Sequence, residues 1–237
     1  VSKNIQQPKC GLLIQQYDGF MKHMGVLKKK RKLRFEHITT LQNNILSRKI
    51  TQQIASMQKY NLIFCVDWYK KVPDKMNEYE YIWLHTLHLL LLIECGGNIV
   101  INIPDSNHYT IYEMIYLLST LFEKVIISKP YISNILHSDK YIICKTYRNN
   151  MNSYVLCEYI NRIKEIHSNK AKSHTIPRYF QTDIPLIYRS KIDESNVIIG
   201  QQQLENMGNI IHLCFFPDKK ERIEFYEKRT KAKSEMW

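Results

Sequence analysis

Three polar side chains stand where runs of apolar residues stop, and their chemistry depends on whether the fold brings them together. Asp67 closes NLIFCVD, Asn102 lies near the end of GGNIVINIPD, and Asp139 stands just before KYIIC. In an open parallel sheet, ligands gather outside the carboxyl ends of the strands. Three polar groups at one such edge could meet a polar ligand. Each residue also has a plainer reading. Asp67 fits an N-cap or turn residue, Asn102 a satisfied buried amide, and Asp139 a turn residue ahead of a strand. Their convergence from distant positions favours the functional reading. A fourth feature is KKKRKLR, residues 28–34. Lys28, Lys29, Lys30, Arg31, Lys32 and Arg34 would meet phosphates if gathered on one surface, with Tyr17 and Phe35 as nearby aromatics; the alternative is a solvated charge run.

These residues need a scaffold, and the hydrophobic pattern supplies one. GLLIQQ (11–16) reads as a strand and YDGF as a turn. Apolar residues at 38, 41, 45, 50, 54 and 57 predict a helix over 38–57, with Thr39 or Thr40 as its N-cap. Next come a strand at 61–67, an apolar helix at 79–94 and a strand at 96–103. A helix at 111–122 and strands at 124–130 and 140–147 follow. Alternation of this kind predicts a mostly parallel sheet with helices on its faces. About ten residues join the last two strands, too few for a helical crossover, so these two are expected to pair antiparallel at a sheet edge. The expected fold class is therefore α/β and Rossmann-like, with an antiparallel edge strand, the architecture of S-adenosylmethionine (SAM) dependent methyltransferases. Asp139, at the start of the antiparallel strand, then reaches the same edge as Asp67 and Asn102.

The tail differs in texture. A helix is predicted at 153–166, an irregular stretch with Pro177 and Pro185 at 168–191, and a second helix at 195–216 in which Gly200 and Gly208 lower the helical propensity. Pro217 and Asp218 suit the start of a third. The expected division is a core over 1–150 and a helical C-terminal extension over 151–237 that packs on it. No internal repeat is visible.

Composition narrows the partners. The 237 residues carry a formal net charge of +12, which favours an anionic partner such as RNA, DNA or an acidic membrane surface. The six cysteines form no CxxC pair and lie mostly in apolar segments, so buried reduced thiols are expected in place of a zinc site or a disulfide frame. That points to a cytoplasmic or nuclear setting. No apolar run reaches the ~18 residues of a membrane span, and no signal peptide is evident. The chain starts with Val, which fits a fragment, a processed product or a trimmed chain.

The run GGNIVINI, followed by LSTLFEKVIISKPYISNILHSDKYIICKTYR, resembles the C-terminal half of the FtsJ-type RNA 2′-O-ribose methyltransferases. That family has a Gly-Gly strand ending in lysine, a helix ending in Leu-Phe, a strand closing in Lys-Pro, a Ser-Arg loop and Ser-Glu-x-Tyr opening the last strand. The matching residues are Phe122, Lys129-Pro130, Ser133-Asn134 and Ser138-Asp139-Lys140-Tyr141. The likeness runs in outline over 11–147 and most clearly over 61–147. Spacing and the helical tail are most similar to FtsJ-like proteins of large cytoplasmic DNA viruses, such as that of African swine fever virus.

The resemblance implies SAM as cofactor, RNA as substrate, and a Lys-Asp-Lys-Glu tetrad whose central lysine activates or orients the ribose 2′-hydroxyl. Asp67 matches the tetrad aspartate, Asn102 stands at the central lysine, and Asp139 stands at the glutamate, one methylene shorter. No residue matches the first lysine, and nothing like GxGxxG appears in the first 60 residues. An amide is neither base nor cation. The expectation is thus a degenerate tetrad and impaired catalysis, with the domain serving as an RNA- or partner-binding subunit in capping or RNA modification, docked on a capping enzyme or another protein. Two alternatives stand beside it: an active 2′-O-methyltransferase completed by a further N-terminal region or a partner, and a structural virion or assembly protein. The expected location is the cytoplasm, viral factories and virions included; neither a metal nor a membrane is expected.

Overall fold

Among the described residues, helix propensity and strand pattern place eleven elements. They are β1 (Lys9–Ile14), β2 (Arg34–His37), α1 (Arg48–Ala55), β3 (Tyr60–Val66), α2 (Glu78–Leu92), β4 (Ile93–Ile103), α3 (Tyr109–Leu121), β5 (Phe122–Ser128), β6 (Lys140–Tyr147), α4 (Ser153–Asn169) and α5 (Leu186–Phe215). The structure is a computed structural model that describes residues 9–14, 34–37, 45–66, 72, 76–130, 137–148, 151–169, 178–215, 220–224, 227–228 and 231.

The strands form one sheet in the order β2-β1-β3-β4-β6-β5. β1, β2, β3 and β4 pair in parallel, while β6 runs antiparallel to both of its neighbours, β4 and β5. The fold is Rossmann-like, and its antiparallel strand enters one place in from the edge. The residues explain that placement. β6 is apolar on the core side, with Ile142 and Cys144 buried, whereas β5 shows solvent Glu123 and Lys124. A charged strand suits a sheet edge, where exposed backbone groups would otherwise invite pairing with another chain. The steps from β2 to β3, β3 to β4 and β4 to β5 all move the same way along the sheet. Right-handed crossovers then put α1, α2 and α3 on one face.

α2 lies at the centre of that layer. Thirteen of its residues are buried, among them Trp83, Leu84, Leu87, Leu89 and Leu91. A helix apolar all round must be covered all round, and α1, α3, α4 and the sheet cover this one. Each fully buried leucine contributes about 2 kcal/mol relative to solvent exposure. Asn77 starts the helix by accepting from the Tyr79 N–H at 2.9 Å, and Glu80 reaches back to the Asn77 N–H. Ile99, Ile101 and Ile103 of β4 face this layer with Ile63 and Cys65 of β3. Their neighbours Leu62, Phe64 and Val100, on the other face, are half-buried. α4 joins the same core through Leu156, Ile160 and Ile163.

Some boundaries differ from the pattern-based ones for local reasons. β4 starts at Ile93, three residues before the Gly-Gly pair, because those glycines absorb an irregularity. Tyr60 pairs with Ile93, yet Leu62 pairs with Asn98. Gly96 takes φ +79°, and a Cβ on Gly97 would meet Ile93 Cδ1 at 2.6 Å and the Glu94 carbonyl at 2.9 Å. α5 begins at Leu186, well inside the stretch expected to be irregular. The Pro185 carbonyl accepts from the N–H groups of Tyr188 and Arg189 and launches the helix, which then passes through Gly200 and Gly208 unbroken. Of the helix expected over 38–57, residues 48–55 are helical, and 38–44 lie outside the described residues.

Candidate functional site

The carboxyl ends of β4 and β5 and the start of β6 meet at one edge. Asn102 of β4 pairs with Tyr141 of β6, and Tyr141 pairs in turn with Ser128 of β5. Ile103 pairs with Lys140, which places Asp139, the preceding residue, beside the end of β4. The fold therefore brings Asn102 and Asp139 to one edge, as the antiparallel reading of β6 requires. Asp67 follows Val66, the last residue of β3, and lies outside the described residues, as do Lys28, Lys29, Lys30, Arg31, Lys32 and Tyr17. Arg34 and Phe35 belong to β2, whose backbone pairs with β1.

Asn102 is buried, with 1 % of its surface exposed, and its Nδ2 donates to the Lys140 carbonyl at 3.3 Å. An amide can do this without titrating, so here it ties β4 to the first residue of β6. The cation at this edge comes from the end of β5. Lys129 Nζ lies 3.8 Å from Asp139 Oδ1 and donates to the carbonyls of His137 at 2.6 Å and Asp139 at 2.9 Å. Burial pushes its pKa down from the ordinary lysine value, and the Asp139 carboxylate opposes that shift. His137 Nδ1 stands 4.0 Å from the same carboxylate. Asp139 thus meets a lysine from the end of a different strand.

A second lysine, Lys140, opens β6. Lys140 is 5 % exposed and donates to Ser106 Oγ at 2.7 Å and Asn196 Oδ1 at 2.9 Å. Ser106 also donates to Asn196 Oδ1, and Asn196 Nδ2 donates to Asn107 Oδ1 at 2.8 Å. Burial lowers the Lys140 pKa, Asp105 raises it, and Lys129 lowers it further. The Tyr112 hydroxyl donates to Asp193, and Gln203 Nε2 donates to the His137 carbonyl at 2.8 Å. These bonds strap α5 across the carboxyl edge, from the β4–α3 loop to the residues that precede β6.

Two features escape the sequence pattern. Beneath the helices, Lys164 of α4 donates to the Ser47 carbonyl at 2.9 Å and to Thr51 Oγ1, and Thr51 Oγ1 lies 3.3 Å from His88 Nε2. His88 Nδ1 contacts the Leu84 carbonyl at 2.7 Å. Burial brings Lys164 down to about 8; burial, with the neighbouring Lys164, brings His88 down to about 3. The second feature is a cleft of about 620 Å³ between α3, α4 and residues 178–182, lined in part by Tyr159, Arg162, Tyr179 and Phe180. Tyr179 stacks on Trp83 at 4.6 Å, and the buried carboxylate of Glu113 accepts from the N–H groups of Tyr179 and Phe180. The run Arg-Tyr-Phe at 178–180 was the available signal, an aromatic pair inside an otherwise polar stretch.

A bound SAM needs a backbone turn that lets the adenosyl group approach closely, and the described residues of this edge supply none. Gly96 and Gly97 lie at the opposite end of β4, and Gly200 and Gly208 lie in α5. No transfer step is therefore assigned to the described residues. No group of three or more His, Cys, Asp or Glu among them is placed to hold a metal, and no described helix is long and apolar enough to cross a membrane.

No protein-family model matches the chain, and no curated protein matches it. Among solved structures it is similar to the alphavirus P23pro-zbd protein, with a TM-score of 0.38 and 11% identity over 73% of this chain and 26% of that one. It is also similar to human methyltransferase-like protein 13 in complex with SAH, with a TM-score of 0.33 and 9% identity over 76% and 88% of the two chains. A third is an O-methyltransferase family protein from Burkholderia thailandensis, with a TM-score of 0.32 and 10% identity over 59% and 43%. The chain thus spans 26% of the alphavirus protein's length and 43% of the Burkholderia protein's.

Proposed function

We propose that this chain is a methyltransferase-like domain of the FtsJ type whose catalytic tetrad is degenerate, and that it acts by binding RNA or a capping partner. One observation carries the reading: at the strand end where that chemistry needs a lysine, Asn102 is a buried amide committed to a backbone carbonyl. A ribose 2′-hydroxyl is a weak nucleophile near neutral pH and needs a positioned base. The neighbouring ammonium groups are occupied as donors, Lys129 to two carbonyls and Lys140 to Ser106 and Asn196. The net charge of +12 supports an RNA partner, bound through phosphates and weakening steeply with salt. A capping enzyme as docking partner, and the cytoplasm of an infected cell as location, belong to the same proposal.

The Lys129–Asp139 pair favours a second reading, an active SAM-dependent enzyme, because it keeps a cation at the edge where the tetrad would stand. Calorimetric titration with SAM and with S-adenosylhomocysteine separates the two. The first reading expects no saturable heat with either ligand, together with RNA binding that falls as salt rises. Saturable cofactor binding, with methyl transfer that Asp67→Ala abolishes and Asn102→Lys enhances, overturns it in favour of the second.

A further inference from the structure

The second half of α5 carries an apolar face with no partner among the described residues. Val197, Leu204, Ile211 and Phe215 are 67, 70, 55 and 79 % exposed. At about 100° per residue, they fall within one narrow stripe, turned well away from Ile192 and Ile199, which bury against the core. Contiguous apolar surface of several hundred Å² is rare on a protein that stays monomeric.

The pattern within the stripe identifies its occupant. Measured from Leu204, Val197 and Ile211 lie seven residues away on either side, and Gly200 and Gly208 lie four away. The Val197–Ile211 and Gly200–Gly208 pairs read the same in both directions, as a two-fold axis through Leu204 demands of two antiparallel helices, while Phe215 would lie opposite Asp193 of the second copy. Each glycine weakens an exposed helix, and a Cβ added at either would meet nothing within 4 Å. Nothing among the described residues needs them small, whereas a second helix crossing at Leu204 would. Charge agrees. Residues 195–216 hold one charged side chain, Glu205, in a chain with 34 basic and 22 acidic residues. Two copies of a chain at +12 can meet along this helix without opposing like charges. Together with Met207, the stripe offers on the order of 600 Å² per copy, so a pair buries about 1,200 Å², the lower end for a stable interface.

We propose that the chain forms a two-fold homodimer through antiparallel packing of α5 about Leu204. Gly200 of one copy faces Gly208 of the other, and Val197 faces Ile211. Sedimentation velocity over a range of concentrations should show a dimer for the full chain. Leu204→Asp and Ile211→Asp should each weaken it on the order of a hundredfold without changing the far-UV circular dichroism. Tyr154→Ser, at an exposed aromatic on α4, should leave the dimer intact. Leu204→Cys should cross-link to its own copy under mild oxidation, while Cys214, ten residues from the axis, should not. A chain that stays monomeric throughout, and so keeps the stripe for a different protein, overturns the proposal. So does a dimer that survives both aspartates, or one that cross-links through Cys214.

Discussion

Two buried lysines organise two regions of this molecule, and they do different work. Lys164 lies beneath the helices, where it joins α4 to α1 through Ser47 and Thr51 and approaches His88 of α2. Lys140 lies at the carboxyl edge of the sheet, where it joins β6 to α5 through Asn196 and to the β4–α3 loop through Ser106. Both knit the C-terminal helices to the sheet-bearing core, and both donate to neutral oxygens. Only the second stands beside groups that could face a ligand. The first region should therefore answer to tests of stability, and the second to tests of binding.

Acid should break the helix-face region first and produce the largest change. His88 sits at about 3, against 6.5 when free, and His85 is lowered in the same direction, chiefly by burial. Between those values the unfolded chain holds protons that the folded chain lacks, so stability falls as pH drops through 6.5 towards 3. For Lys164, lowered from 10.5 to about 8, the same sign makes stability rise with pH across that window. Urea midpoints at a series of pH values measure both, and a midpoint flat below neutrality would remove the histidines from the account.

Thr51→Val comes next. It deletes an acceptor from the buried Lys164 and a neighbour from His88, and should cost about 2 kcal/mol in urea unfolding. Asn196→Ala, at the edge, should cost about 1 kcal/mol and make α5 a better substrate for limited proteolysis, because it removes one side chain from Lys140, Ser106 and Asn107 together. A larger loss from Asn196→Ala than from Thr51→Val would reverse the comparison. Asp139→Asn should be the mildest to the fold, about 0.5 kcal/mol, since its ion pair with Lys129 is long and partly open to solvent. If Asp139 belongs to a binding edge, the same substitution should alter RNA retention measured by filter binding at low salt.

Local pattern was enough for most of the fold. The apolar run of α2, the alternation from β3 to β5 and the short β5–β6 connection express themselves within a few residues, and they led to a parallel sheet with one reversed strand. The same reasoning placed Asn102 and Asp139 at one edge, because strand direction follows from connection length. The partners of the polar groups were decided by tertiary structure. Lys129 meeting Asp139, Asn102 bonding the Lys140 carbonyl, Asn196 closing over Ser106 and Lys164 finding Thr51, 113 positions away, each depend on which surfaces face one another. The insertion of β6 between β4 and β5, and the start of α5 at Leu186, were settled the same way. Periodicity is written along the chain. A buried charge or amide instead takes the nearest available oxygen, and only the packed structure determines which oxygen that is.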